Sequence, residues 1–207
     1  MSDIWVLRHG ESTANVEGLI VSAPGPRALV EVGLTELGRE QARRAAADAA
    51  AHGLGPATIV VSSDFARARQ TAEEFAAGIG AAAPRLDQRL RERSFGTHDE
   101  GPVSSYDLVW AVDRGRGEHE HEVEPVRAVA DRVDAVLRDA DRWAAEAPVV
   151  LVAHGDVLQI ALALGSAEDP HDHRDVPHLG NAELRRIGPA RLADASGARS
   201  ALRPGTP

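Results

Sequence analysis

Three short stretches of the chain are almost continuously apolar: "IWVL" at 4–7, "ATIVVSS" at 57–63 and "PVVLVAH" at 148–154. They are rich in β-branched residues and lack the polar alternation of a half-exposed strand, so they predict strands covered on both faces, as in a parallel sheet. Between them run longer Ala-rich segments of helical character at 34–53, 64–80 and 124–147. The first opens with Thr35 placed as an N-cap and runs out at Gly53, a residue suited to a C-terminal stop. Strands alternating with helices predict an α/β fold. The expected architecture is a single domain with a mostly parallel central sheet flanked by helices on both faces, to which "AELRRI" at 182–187 adds a further strand.

Two regions break this rhythm. Residues 85–123 carry Gly96, Gly101, Pro102, Gly115 and Gly117 and predict only a short helix near Tyr106 to Val112, so 93–123 reads as a loop-rich lid. From Gly188 onward the chain is rich in Ala, Gly and Pro, and a flexible tail is expected from about residue 190. No internal repeat and no linker divides the 207 residues, which fit one domain.

Composition then removes whole classes of function. A formal net charge of -9 argues against a nucleic-acid or anionic-membrane surface, so any anion must be caught by a local pocket. With no cysteine, disulfide scaffolds, thiolate zinc sites and cysteine nucleophiles are excluded. All 23 basic residues are arginine, which excludes lysine-dependent phosphate loops and Schiff-base or pyridoxal chemistry. The apolar run at the N-terminus is too short for a signal-peptide core or a membrane span, and cytoplasmic residence is expected.

In open α/β sheets, ligands bind beyond the carboxyl ends of the strands. Arg8, His9 and Gly10 follow the first predicted strand; Ser62, Ser63 and then Arg67 follow the second; His154 and Gly155 follow the third. Meeting at one sheet edge, these residues would form an anion pocket. Each alone has a plainer reading, as a hydrogen-bonded histidine or a solvated helix face, but all three strand ends carry the same chemistry. "GEHEHEVE" at 117–124 and "HDH" at 171–173 lack the helical spacing of a zinc site and read as solvated acidic loops, so no metal is expected.

The same residues carry a family resemblance. "LRHGES" at 7–12 resembles the signature of the histidine phosphatase superfamily, which includes phosphoglycerate mutases and fructose-bisphosphatase-type phosphatases. "LTELGREQA" (34–42), "SSDFARARQTA" (62–72), "LRERSFG" (90–96) and "VLVAHGDVL" (150–158) are similar to further motifs of that family, in the family's order.

The resemblance implies a covalent mechanism with His9 as nucleophile and Glu92 as proton donor to the leaving oxygen. Arg8, Arg67 and His154 would surround the phosphate, and Asn15 would contact it. Gly10 and Gly155 would let the backbone approach it. For Glu92, the plainer reading is a surface carboxylate paired with Arg91 or Arg93, and Asp99 and Glu100 stand next in line as donors. Ser12 and Thr13 could serve only to cap the following turn.

Departures from the pattern bear on substrate rather than catalysis. Ala14 stands where cofactor-dependent mutases usually carry Trp, and the basic insertion of those enzymes is missing. "THDEG" at 97–101 is one residue longer than usual, and Asp156 replaces a common second Gly. The expected function is a metal-independent, cofactor-free phosphomonoesterase acting on a small phosphate ester. Nucleic acid and membrane are not expected partners, and a homodimer is left open. The alternatives are mutase-type phosphoryl transfer and a phospho-ligand binding module without chemistry.

Overall fold

The computed structural model describes residues 3–188. Five strands form one sheet: β1 (Ile4–Arg8), β2 (Ile59–Ser62), β3 (Arg85–Leu86), β4 (Val149–Ala153) and β5 (Leu184–Arg186), in the order β3-β2-β4-β1-β5. Parallel pairing joins β1 to β4, β4 to β2 and β2 to β3, while β5 runs antiparallel along the outer edge of β1. The helices are α1 (Thr13–Glu17), α2 (Glu36–Ala49), α3 (Ala66–Ile79), α4 (Ser105–Arg114), α5 (Val126–Trp143) and α6 (Gly155–Gly165).

The continuous apolar runs are covered from both sides, as their lack of alternation requires. On β1, Ile4 and Val6 join Val149, Leu151 and the apolar faces of α5 and α6. Trp5 and Leu7 face the other way, into a second core with Val150, Val152, Ala46 of α2 and Phe75 of α3. This is the expected α/β sheet with helices on both faces. Thr35 caps α2 as expected, its Oγ1 accepting from Gly38 N at 3.0 Å. Gly53 ends the 3-10 turn that extends α2, with φ of 76° in the left-handed region. The tail expected from about residue 190 lies outside the described residues.

Three of these elements were not predicted, one being the five-residue α1, where the sequence suggested only a capped turn. Edge strand β3 has only two residues, too few to leave a pattern. Helix α6 is buried all round, only Gly155 and Leu164 escaping full burial, and apart from Asp156 and Gln159 it is apolar, so it shows no amphipathic stripe.

The site end of β1 is fixed against the start of α2 by two glycines in backbone contact. A Cβ on Gly38 would run into the Glu11 carbonyl, and one on Gly10 into the Gly38 carbonyl. Gly38→Ala is therefore expected to cost about 3 kcal/mol, the upper end for overpacking, because backbone cannot rotate away. Gly55, whose Cβ would meet nothing within 4 Å, is the control. Equal urea midpoints for Gly38→Ala and Gly55→Ala would refute this packing argument.

Candidate active site

The three strand ends do converge. His9 follows β1, its amide donating to the Ala153 carbonyl of β4 at 3.0 Å, and His154 follows β4 directly. Their rings meet edge to face with centroids 5.3 Å apart. Arg67 stands in the first turn of α3, after β2, and is buried.

His9 is oriented by its own neighbour. Its Nδ1 lies 2.7 Å from the Gly10 carbonyl, which can only accept, so the proton sits on Nδ1 and the lone pair on Nε2. Arg67 Nε donates toward that lone pair at 3.3 Å. Burial, and then the charges of Arg67 and Arg8, hold the His9 pKa well below its usual value. Burial and Arg67 do the same to His154. Both rings are neutral at neutral pH.

The arginines are anchored with donors to spare. Arg8 Nη1 donates to the Leu179 carbonyl at 2.7 Å and lies 2.8 Å from His178 Nε2; Arg67 Nη2 donates to the Val21 carbonyl at 2.9 Å. Arg8 Nε, Arg67 Nη1 and His154 Nδ1 are buried without a partner among the described residues. Polar atoms so placed are costly unless something bonds them, and an anion suits two guanidiniums. Arg8, His9 and Arg67 line a pocket of about 160 Å³ together with Asn15, Glu92, Gly155 and Asp156. His154 sits behind His9 rather than in the pocket wall, its Nε2 3.0 Å from Ser63 Oγ.

Glu92 lines that pocket with no ion pair to any of the described residues. Arg91 bonds Asp64 at 2.6 and 2.8 Å, and Arg93 bonds Asp113 at 2.6 and 2.9 Å, so the neighbours expected to neutralise Glu92 point elsewhere. Its carboxylate accepts from the Arg93 amide at 3.0 Å. Burial, then the nearby negative charge of Asp156, pushes its pKa up to about 7.

Other expectations take a different form. Gly10 is not in the pocket wall; its missing Cβ is explained by contact with Gly38, and its amide donates to Thr71 Oγ1 at 3.0 Å. A Cβ on Gly155 would meet nothing within 4 Å, which leaves that stretch of wall open to a ligand. Asn15 lines the pocket, while its Oδ1 closes a capping box by accepting from Ser12 N and Oγ, both at 3.0 Å.

Asp99 is no reserve acid: its Oδ1 accepts from Ser22 N, Ser22 Oγ and Ala23 N at 2.5, 2.8 and 3.1 Å. Glu100 is exposed, 3.5 Å from Arg27. The histidine-rich stretches are not simply solvated either. His119 is nearly buried against Asp113 at 2.6 Å, and His173 is fully buried, 3.7 Å from Asp156. Both are tied to interior carboxylates, a placement that alternating His and Glu could not reveal. Among the described residues no group of three or more such side chains is arranged to hold a metal ion.

Asp156, noted in the sequence only as a departure, is a buried hub. Trp110 Nε1 donates to both its oxygens at 3.0 and 3.1 Å, and Arg93 Nη1 reaches it at 3.4 Å. Burial alone would raise its pKa, but His173, Arg93 and Trp110 together hold it below the usual carboxylate range. Trp110 belongs to α4, so Asp156 fastens α4 to the start of α6.

Comparison with known proteins supplies the family. Among curated relatives, the chain is 29% identical over 164 residues to the probable phosphoglycerate mutase GpmB of Escherichia coli, covering 76% of this chain and 72% of that protein. It is also 29% identical over 181 residues to agropine synthesis reductase of Rhizobium rhizogenes, where 84% of this chain spans only 38% of the relative. Among solved structures, a mycobacterial glucosyl-3-phosphoglycerate phosphatase complexed with VO3 superposes with a TM-score of 0.72 at 27% identity, over 88% of this chain and 90% of that one. Another, named mycobacterial hydrolase 1, gives 0.74 at 27% identity over 88% and 87%. The sequence model of the histidine phosphatase superfamily (branch 1) matches residues 4–192, and the chain therefore belongs to that superfamily.

Proposed function

We propose that this histidine phosphatase hydrolyses the phosphomonoester of a small metabolite through a phosphohistidine on His9, without a metal ion. The observation that carries the reading is the aim of the His9 lone pair into a pocket with Arg8, Arg67 and a carboxyl that no described residue ion-pairs. His9 Nε2 attacks phosphorus as the ester P–O bond breaks, and Glu92 delivers its proton to the departing oxygen. Arg8 and Arg67 stabilise charge on the transferring phosphoryl group. His154, neutral and packed edge to face on His9, backs the attacking ring. Water then attacks the phosphohistidine, with Glu92 now accepting its proton. His9 and the phosphate are released, and Glu92 is again protonated.

The pocket volume of about 160 Å³ supports a small substrate, since sites for drug-sized ligands run to about 300–1,000 Å³. The position of Glu92 favours an enzyme over a binding module, which has no use for a proton donor. In EDTA, purified protein is expected to release phosphate from p-nitrophenyl phosphate and from 3-phosphoglycerate. If EDTA abolished phosphate release and one divalent ion restored it, the metal-free reading would fail. Rapid conversion of 3-phosphoglycerate to its 2-phospho isomer in the presence of 2,3-bisphosphoglycerate, without phosphate release, would instead establish a mutase.

A further inference from the structure

A third arginine reaches the same pocket from a segment outside the motifs of the family resemblance, directly after "HDH" at 171–173. Arg174 lies in the 3-10 segment Pro170–Asp175 beyond α6, and its guanidinium carbon sits 3.6 Å from the centroid of the Trp110 ring. Trp110 in turn stacks on Tyr106, the rings 5.1 Å apart and 6° from parallel. All three residues line the pocket, as does His178, the partner of Arg8.

Arg174 is held in place yet poorly compensated. Its Nη1 donates to Gln159 of α6, and stacking on Trp110 fixes the plane of the fork. Nε and Nη2 make no hydrogen bond to the described residues. The nearest carboxylate, Asp156, stands 3.9 Å away, beyond hydrogen-bond reach, and its oxygens already serve Trp110 and Arg93. Burial lowers the Arg174 pKa, with the charge of Asp156 opposing that shift. Arg174 thus lines the pocket with Nε and Nη2 unbonded by the described residues, while Nη1 and the ring stack hold the guanidinium.

We propose that Arg174 is a specificity-determining residue: with the phosphoryl group between Arg8 and Arg67, its free fork takes a second anionic group of the same substrate. That group is a carboxylate or a second phosphoryl, since a guanidinium fork matches both. The pocket of about 160 Å³ allows only a spacer of a few carbons between the two anions. The inference rests on the phosphatase reading above.

Calorimetry with three ligands that cannot be hydrolysed tests it: 3-phosphonopropionate, propane-1,3-bisphosphonate and propylphosphonate. Wild-type protein is expected to bind at least one of the first two about 10- to 100-fold more tightly than propylphosphonate, the weight of a hydrogen bond to a charged group. Which of the two gains identifies the second anion. Arg174→Gln should erase that preference while leaving propylphosphonate affinity within about threefold, and Arg174→Lys, a point charge without the fork, should restore it in part. Equal wild-type affinity for all three, or a preference that survives Arg174→Gln, overturns the proposal while leaving the phosphatase reading intact. Failure of all three and of inorganic phosphate to bind overturns both.

Discussion

His9→Ala is expected to lower turnover of every phosphomonoester on the order of 10⁴-fold or more, the scale of losing a covalent nucleophile. It should also abolish the acid-labile phosphoenzyme seen after rapid quenching. The expectation follows from how few alternatives the chain offers. Cysteine and lysine are absent, and the serine hydroxyl and second carboxylate lining the pocket are engaged, Ser12 in the capping box with Asn15 and Asp156 by Trp110 and Arg93. His154 is buried behind His9, with one ring nitrogen facing Ser63. Arg8 and Arg67 are anchored by carbonyls of Leu179 and Val21 and do not need His9 to stay in place, so inorganic phosphate should still bind the variant. Retained phosphate binding shows that the pocket survives the substitution. A phosphoenzyme that persists in His9→Ala would move the nucleophile elsewhere.

Why His9 was legible in the sequence, and Asp156 and Arg174 were not, is a matter of which interactions are local. A strand buried on both faces leaves an unmistakable apolar run, and whatever follows it must emerge at the sheet edge, so Arg8, His9 and His154 could be placed by counting from β1 and β4. Arg67 could be placed because α3 begins just after β2. Asp156 acquires its role from Trp110, Arg93 and His173, residues 46, 63 and 17 positions away, and no periodicity records such a meeting. Arg174 likewise depends on the stack of Trp110 on Tyr106. Residues 93–123 leave little pattern in the sequence because their order comes from side chains. Arg93 is fully buried with Asp113, and Glu124 is bonded by Arg132 at 2.9 and 3.0 Å, which turns a glycine-rich and charged stretch into a fixed wall. Charged residues are rarely buried, and when they are, the partner that makes burial tolerable can lie anywhere in the sequence.

Glu92→Gln is expected to separate two kinds of substrate. With its pKa pushed up to about 7 by burial and by Asp156, Glu92 holds a proton through the acid range and can give it to a leaving oxygen. An alkyl phosphate, whose alkoxide leaves poorly, should lose about 10² to 10⁴-fold in kcat, the usual worth of general acid catalysis. Dinitrophenyl phosphate, whose leaving group departs as an anion, should escape most of that loss. The pH dependence makes a second, independent demand. Raising pH through about 7 removes the proton from Glu92, so wild-type kcat/KM for the alkyl phosphate should fall on the alkaline side with that midpoint. The glutamine variant, which cannot titrate, should lose this limb. The His9 pKa, depressed by burial and two arginines, places the opposite limb well below its ordinary value, so the variant's profile should be flat through neutrality. Asp156 cannot replace Glu92, because its neighbours hold it ionised and so without a proton to give. Asp99 and Glu100 are engaged outside the pocket. Equal damage to both substrates, or an alkaline limb that persists in Glu92→Gln, would take the proton donor's role away from Glu92.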